Sequence, residues 1–464
     1  MFKLRGRLAT TAVAFAAVAP HAALAGEIAG TVVDQTDTIA LQAATVRIAE
    51  LNRQAVTGPN GTFIFADVPA GTYTIQASYV GAETETLTIE VPATGTVRAD
   101  FSLGGSGPGV ILVIGQAANQ ASALSRKRAS DVVSDVLTRD AIGQFPDQNV
   151  AESLRRLPGV NVLNDQGEGR FVSVRGLDPD LVSTSLNGVR LPAPESDVRS
   201  VALDVISSDV IESITVKKSL TPDMDADTIG ASVEIETTSA FARRRNLFTA
   251  KLEGSYNDYS GELTPKGSVD FAARLTDGIG VTGGLSYYQR KFETDNMEAD
   301  DWVESANGPF SAKVEHRDYD VERERISATL GFDFRIGEAT ELYARGIYSQ
   351  FDDQEFRRGL TFDLGDFEDD GPSAFDGTLA QFSDADQEFD VEREIKDRFE
   401  SQKIRSLSLG GKTDTGTWFA EYSASWAKSS ELEDGSVDPT QFSRTFYDDG
   451  LVVGIDYSNP RTPL

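Results

Sequence analysis

The sequence predicts a mainly β protein with three successive parts: a β-sandwich, a small α+β domain, and the first strands of an antiparallel transmembrane β-barrel that is incomplete. Three observations support this fold class. Short apolar strands alternate with glycine and proline turns over residues 26–103. One helix signal stands among strand signals over residues 129–240, and long segments of period-two alternation occupy residues 241–464.

Composition excludes several classes of function. The chain has 464 residues, a formal net charge of −30 and no cysteine. Because a nucleic-acid partner requires a basic face, such acidity argues against one. The lack of cysteine excludes disulfides and thiolate metal sites.

The first 25 residues have the three regions of a secretory signal. Lys3, Arg5 and Arg7 are basic, Leu8–Val18 is apolar, and Ala23-Leu24-Ala25 is a cleavage site of the A-x-A type. We expect the mature chain to start at Gly26. The alternative is an N-terminal membrane anchor, but the apolar run is too short to span a bilayer. An exported chain without a long apolar segment would cross a membrane as a β-barrel.

The part before the α+β domain ends in a glycine-rich linker. Strands are predicted up to Leu103, and a flexible segment, GGSGPG, follows at residues 104–109. The next run, VILVIGQ at 110–116, is short, uncharged and β-prone. It is either an exposed recognition segment or the last strand of the sandwich. We predict a small polar tether from Ala117 to Arg128.

The α+β domain is predicted over residues 129–240. Leu154 and Leu157 lie on one face of a short helix that Pro158-Gly159 ends. Residues 171–176 and 211–216 alternate as strands. Asn187-Gly188 is a two-residue hairpin turn, since both positions accept a positive φ.

The third part alternates strictly between apolar and polar residues. Phe248, Ala250, Leu252, Gly254 and Tyr256 share one face of the first strand, for example. Short turns such as Asp277-Gly278 alternate with long acidic segments, Phe292–Glu324 and Asp352–Glu400, which we expect to be outer loops. A soluble β-sandwich is the alternative. Aromatic residues near strand ends suit the girdles of a membrane barrel: Tyr256, Tyr287, Tyr288, Tyr348, Trp418 and Trp426.

The middle of the chain resembles the plug domain of TonB-dependent outer-membrane receptors. The resemblance rests on the ordered motifs NVAESLRRLPGV (149–160), EGRFVSVRG (168–176), NGVRL (187–191) and TPDMDADTIGA (221–231). It is similar to one subgroup named after receptors of Caulobacter and Xanthomonas. The segment GPNGTFIFADVPAGTYTIQASYVG (58–81) resembles the carboxypeptidase regulatory-like domain, a small sandwich.

The resemblance implies an active transport receptor with specific sites. The run before the plug would be the TonB box: Val110, Ile111, Leu112, Val113, Ile114 and Gly115. Arg175 would latch the plug to barrel carboxylates. Outward plug loops would bring Asp165, Glu168, Glu195 and Ser196 to the ligand. The implied partners are TonB, the inner-membrane energising complex and a small-molecule ligand, which we expect to be an oligosaccharide or, as the alternative, a ferric siderophore.

Such plugged barrels have about 22 strands. We predict seven or eight strands here, and the chain ends without the terminal aromatic residue expected in the family, so we expect a truncated product or fragment.

No motif supports an enzyme, a metal site or a cofactor. Asp223, Asp225, Asp227 and Glu234 have the spacing of a calcium loop, but Thr228 stands where that loop needs glycine. The mature chain keeps one histidine, His316. The alternative is a surface-binding or signalling protein that does not transport its ligand. A working TonB box would argue against this alternative, because a protein that only binds at the surface needs none.

Overall fold

The structure is a computed structural model that describes residues 25–37, 39–104, 116–143, 147–196, 198–222, 224–225, 228–243, 245–459 and 461–464. The predicted signal peptide, apart from Ala25, and the predicted TonB box lie outside these residues.

The N-terminal part is the predicted β-sandwich. Its strands are β1 (Ala25–Asp34), β2 (Thr45–Ile48), β3 (Arg53–Val56), β4 (Thr62–Pro69), β5 (Gly71–Ser78), β6 (Glu85–Val91), β7 (Thr96–Arg98) and β8 (Phe101–Leu103). One sheet has the order β4-β1-β7, with β8 also on β1, and the other has the order β3-β2-β5-β6. Inward residues such as Ile28, Val46, Ile75 and Phe101 are buried and hold the two sheets together.

A helix, α1 (Gln116–Ala129), occupies the segment for which a polar tether is predicted. That prediction is wrong. The segment has a helix-compatible composition, rich in alanine, serine and basic residues, but little apolar periodicity from which to recognise a helix. Contacts on two sides stabilise α1 instead, and they are described below.

The α+β domain follows. It contains β9 (Ser134–Thr138), α2 (Arg139–Gly143), α3 (Val150–Leu154), β10 (Val160–Asp165), β11 (Glu168–Val174), β12 (Val182–Leu186), β13 (Val189–Arg190), β14 (Ser213–Lys217) and β15 (Ala231–Glu236). Its sheet has the order β13-β12-β15-β14-β9, and β10-β11 is a separate hairpin. Asn187 (φ 50°) and Gly188 (φ 78°) form the predicted turn.

The third part is one large antiparallel sheet, here called the wall. Its strands are β16 (Leu247–Tyr256), β17 (Leu263–Thr276), β18 (Ile279–Ser305), β19 (Gly308–Ile336), β20 (Thr340–Asp363), β23 (Phe389–Asp414), β24 (Phe419–Glu433) and β25 (Val437–Phe446). They pair in that order, with β24 and β25 following one another along the same edge of β23. The sheet curves around the α+β domain and does not close within the described residues.

The two faces of the wall differ as the alternation predicts. Phe248 and Leu252 are exposed on the outer face, 73% and 93% respectively. Serines such as Ser286 and Ser327 are buried on the inner face. An apolar outside and a polar inside are typical of a membrane barrel. Tyr288 is an exception to the predicted girdle, because it is buried on the inner face.

The long acidic segments are not loops. The segment 292–324 continues β18 and β19 as one hairpin, and residues 352–363 and 389–400 continue β20 and β23. Two short strands between them, β21 (Ala374–Phe375) and β22 (Leu379–Ser383), form a small sheet, here called the cap, with the later strand β26 (Val452–Asp456). Several phenylalanines of these acidic segments, including Phe310, Phe367 and Phe382, form the core beneath the cap.

The ends of the wall are occupied by different parts of the chain. The turns at 277–278, 337–339 and 415–418, here called the short-turn rim, lie at one end, and the cap lies at the other. The sandwich contacts the short-turn rim. No helix in the described part of the chain is long and apolar enough to cross a membrane.

Candidate ligand cleft and the ion pairs beneath it

A cleft of about 740 Å³ lies between the tip of the β10-β11 hairpin and the inner face of the wall. The tip is a tight turn in which Gln166 (φ 46°) and Gly167 (φ 81°) both adopt the left-handed conformation. This turn projects Asp165 and Gln166 into the cleft, opposite wall residues that include Tyr259, Asn296, Arg357 and Arg398.

The lining of the cleft is polar, and its cationic side chains are paired with carboxylates. Glu355 of the wall accepts hydrogen bonds from Gln166 of the hairpin (3.0 Å) and from Arg398 of the wall (3.1 Å). Arg357 forms an ion pair with Glu394 at 2.7 Å. Tyr259 is 72% exposed at the edge. The cleft therefore offers hydrogen-bond donors, acceptors and an aromatic ring, with little uncompensated charge.

Beneath the cleft, Glu168, the residue directly after the tip turn of the hairpin, is surrounded by three arginines of the wall. Arg290 lies 2.6 Å from one carboxylate oxygen, and Arg325 and Arg323 approach the other, Arg323 at 3.5 Å. Burial opposes ionisation, but the charges of Arg325, Arg323 and Arg290 outweigh it and lower the pKa of Glu168 to about 2. Glu168 is therefore a charged anchor between the α+β domain and the wall.

The arginines are fixed by further contacts. Arg323 and Arg325 are each 1% exposed, and both lie over the ring of Phe351, Arg325 at 4.7 Å from its centroid. Arg325 also donates to the backbone carbonyl of Asp204 at 2.5 Å, and Arg323 pairs with Asp353 at 3.3 Å. Because these side chains are held from several directions, the Glu168 site is rigid.

The side chain of Asp204 lies in the same buried layer but lacks a close partner. Neither carboxylate oxygen accepts a hydrogen bond from the described residues. The Nε of Arg170 lies 4.0 Å from one of these oxygens. Burial raises the pKa of Asp204 to about 6, although the charges of Arg170 and Arg325 act in the opposite direction.

A row of serines completes the contact between the α+β domain and the wall. The Ser207 hydroxyl bonds Ser286 at 2.9 Å, the Ser207 backbone N–H donates to Ser327 at 3.3 Å, and Ser349 donates to the Val205 carbonyl at 2.7 Å. These serines come from three neighbouring strands of the wall. The segment around residues 203–210 is thereby docked through polar contacts that are satisfied.

The structure places the sequence-predicted ligand residues at different depths. Asp165 lines the cleft. Glu168 is 2% exposed and lies beneath the cleft, so ligand does not reach it in this state. Glu195 pairs with Arg170 at 2.5 Å outside the cleft, and Ser196 is exposed.

Arg175, the predicted latch, forms a hydrogen bond within its own domain. Arg175 has a positive φ of 56° and donates to the Gly230 carbonyl at 2.9 Å. Ion pairs from the plug to the wall are made by other residues, among them Glu168, Arg170 and Asp209. Sequence reasoning missed Arg290, Arg323 and Arg325, although charged residues at period two on the inner face of a strand were a usable signal.

The calcium-like spacing is not assembled into a site. Asp223 and Asp227 lie outside the described residues, Asp225 pairs with Arg190 at 3.5 Å, and Glu234 pairs with Lys217 at 2.7 Å. Among the described residues no group of three or more acidic or histidine side chains could hold a metal ion.

Comparison with known families identifies two domains. The TonB-dependent receptor plug domain matches residues 126–232, and the carboxypeptidase regulatory-like domain matches residues 27–104. Both predicted resemblances are confirmed. The plug domain also confirms the predicted location in the outer membrane.

Solved structures of outer-membrane receptors resemble the chain weakly. The siderophore receptor PirA from Acinetobacter baumannii is 12% identical, with a TM-score of 0.32, over 72% of this chain and 62% of that one. The outer membrane transporter YddB from Escherichia coli is 10% identical, with a TM-score of 0.28, over 69% and 56%. The ferric citrate transporter FecA is 14% identical, with a TM-score of 0.32, over 75% and 62%. The chain therefore spans less than two thirds of the length of these receptors.

Proposed function

We propose that this plug-bearing outer-membrane chain acts as an energy-coupled receptor. A small ligand binds in the cleft between the hairpin tip and the wall, TonB is recruited at Val110–Gly115, and the plug then moves to admit the ligand. The energy comes from the inner-membrane complex that drives TonB.

The observation that carries this proposal is the Glu168 anchor. Three wall arginines converge on one buried plug carboxylate, and removing one partner from such a group costs about 3–5 kcal/mol. Thermal motion therefore opens the plug rarely. A receptor closed in this way needs an external source of energy to release its cargo, and TonB supplies one.

We propose an oligosaccharide as the ligand. The cleft combines the exposed ring of Tyr259 with amides such as Asn296, and its arginines are already paired. A neutral, hydroxyl-rich molecule can bond such a surface through both donors and acceptors. A ferric siderophore, which is anionic, would have to compete with Glu355 and Glu394 for Arg398 and Arg357.

Growth of a deletion strain tests this function. The strain, with and without the full-length receptor, is grown on a panel of oligosaccharides as the carbon source and, separately, under iron limitation. We expect receptor-dependent growth on one class of oligosaccharide. Receptor-dependent growth only under iron limitation would mean that the ligand is a ferric siderophore and not an oligosaccharide. Surface binding of a sugar without receptor-dependent growth would favour the non-transporting alternative.

A further inference from the structure

The sandwich is docked on the short-turn rim. Three side-chain hydrogen bonds join the two parts. Arg98 of β7 donates to Glu338 of the rim at 2.6 Å, and Thr417 of the rim donates to Asp67 of β4 at 3.0 Å. Asn60, in the turn before β4, donates to Glu341 at the start of β20, next to the rim, at 2.7 Å. The contact is close as well as polar, because a Cβ placed on Gly416 of the rim would lie 2.5 Å from the Ala66 backbone nitrogen.

Backbone pairing ties the sandwich to the segment that joins the plug to the wall. Ile39 of the sandwich and Arg243 of this segment form an isolated antiparallel bridge. Beside it, the Ala40 N–H donates to the Ala242 carbonyl at 3.1 Å. The sandwich is therefore fixed at both the rim and the exit of the plug.

One side of helix α1 packs on the sandwich. Ala121 is buried within the sandwich core cluster, 3.8 Å from the ideal Cβ position of Gly81. One turn later, the Ser125 hydroxyl accepts from the Val80 N–H at 3.4 Å.

The opposite side of α1 holds the plug. Arg126 pairs with Glu236 at 2.9 Å and donates to Thr215 at 3.2 Å, and Lys127 pairs with Asp135 at 2.6 Å. Asp135 belongs to β9, the edge strand of the plug sheet, which among the described strands pairs only with β14. An edge strand with one neighbour is the part of a sheet that opens most easily.

We propose that the sandwich is a brace: its docking on the short-turn rim holds α1 against β9 and so opposes opening of the plug from this end. The contacts to the rim are mostly single and partly exposed, since Arg98 and Glu338 are each about half exposed. Such pairs are individually weak and break one by one. The brace therefore releases under force and re-forms afterwards. In the energy-coupled function proposed above, the strength of the brace sets the resistance that TonB must overcome.

Hydrogen exchange in the purified full-length receptor tests this inference without ligand or TonB. The release variant is Asn60→Ala/Glu338→Lys, which removes two of the rim contacts. The control is Asp277→Lys, which makes the same change of charge on a turn of the same rim. We expect amide exchange in α1 and β9 to rise about tenfold in the release variant and to stay unchanged in the control. Unchanged protection of β2 and β5 will report that the sandwich is still folded.

A disulfide reports whether the sandwich is docked. The chain has no cysteine, so Ile39→Cys/Arg243→Cys introduces a single pair at directly opposed antiparallel positions, a geometry that a disulfide spans. We expect this disulfide to form more slowly in the release variant, and, once formed there, to return the exchange of β9 to the wild-type rate.

Two results would overturn the brace. Slower disulfide formation with unchanged exchange in α1 and β9 would mean that the sandwich leaves without loosening the plug. If the disulfide forms as fast in the release variant as it does when the same two cysteines are introduced into the otherwise wild-type receptor, the rim contacts do not hold the sandwich. Neither result bears on transport, so failure of the brace is distinguishable from failure of the proposed function.

Discussion

The Arg290 guanidinium of the wall lies 2.6 Å from the Glu168 carboxylate of the plug, although 122 positions separate the two residues in the chain. Arg325, 157 positions away, reaches the other oxygen of the same carboxylate. The plug is thus held from below the ligand cleft by charges on two neighbouring strands. Movement of the hairpin tip above it must disturb this anchor.

Replacing Glu168 by glutamine should loosen the hairpin of β10 and β11. The change removes the carboxylate shared by Arg290, Arg323 and Arg325, of which Arg323 keeps Asp353 as a partner, at a cost of about 3–5 kcal/mol. We expect faster hydrogen exchange in Val160–Val174 while the wall strands keep their protection. Asp165→Asn is the matched control, since Asp165 lies on the same hairpin but is about one third exposed and should matter less. Equal exchange in the two variants would contradict the anchor.

Replacing Asp204 by asparagine should stabilise the plug at neutral pH and not at acidic pH. The pKa of Asp204 in the folded plug, about 6, exceeds its usual value near 4, so the contribution of Asp204 to stability is most favourable below about pH 4 and is lost as pH rises through 6. Asparagine cannot ionise and escapes this loss, which amounts to about 3 kcal/mol. Urea unfolding of the plug at pH 4 and pH 8 measures the gain, which should be confined to pH 8. A gain of the same size at both pH values would show that ionisation of Asp204 is not the cause.

Replacing Tyr259 by alanine should weaken oligosaccharide binding without affecting the fold. An exposed ring that stacks on ligand contributes about 1 kcal/mol, so we expect a loss of affinity of roughly fivefold. Tyr447→Ala provides the comparison, because Tyr447 is similarly exposed but does not line the cleft. Calorimetry with the sugar identified in the growth panel gives both affinities. A loss of affinity in the Tyr447 variant alone would mean that the ligand binds near Tyr447 and not in the cleft.

Replacing Ile111 or Val113 by proline should abolish uptake and leave binding at the surface intact. Recruitment of TonB by strand addition depends on backbone N–H donors, and proline removes one. Whole-cell binding and intracellular accumulation of labelled ligand are compared for wild type and both variants. Accumulation at the wild-type rate in both variants would place the TonB box elsewhere.

The sequence predicted the parts of the fold that local patterns determine. The Asn187-Gly188 turn and the alternation around Phe248 and Leu252 are read from neighbouring residues, and both are confirmed. The acidic segment 292–324 was misread as a loop, because charged residues on both faces hide the strand period. Its two halves belong to β18 and β19, which pair with each other, and the β19 half also pairs with β20, so the segment is kept extended.

The candidate site was harder to predict because its contacts are distant in sequence. The sequence singles out Glu168 as a ligand contact, whereas in the structure it is buried between Arg323 and Arg325, and no local pattern reveals that pairing. The cleft likewise joins the turn at Gln166 to Glu355, 189 positions away. Only the assembled structure of plug and wall brings these groups together.

The most direct test of energy coupling compares accumulation of labelled oligosaccharide by cells with and without TonB, each carrying the full-length receptor. Surface binding is measured in parallel. We expect equal binding in both strains, with accumulation only where TonB is present, because the Glu168 anchor keeps the plug closed without an input of energy. Accumulation at the same rate in the strain without TonB would contradict the account.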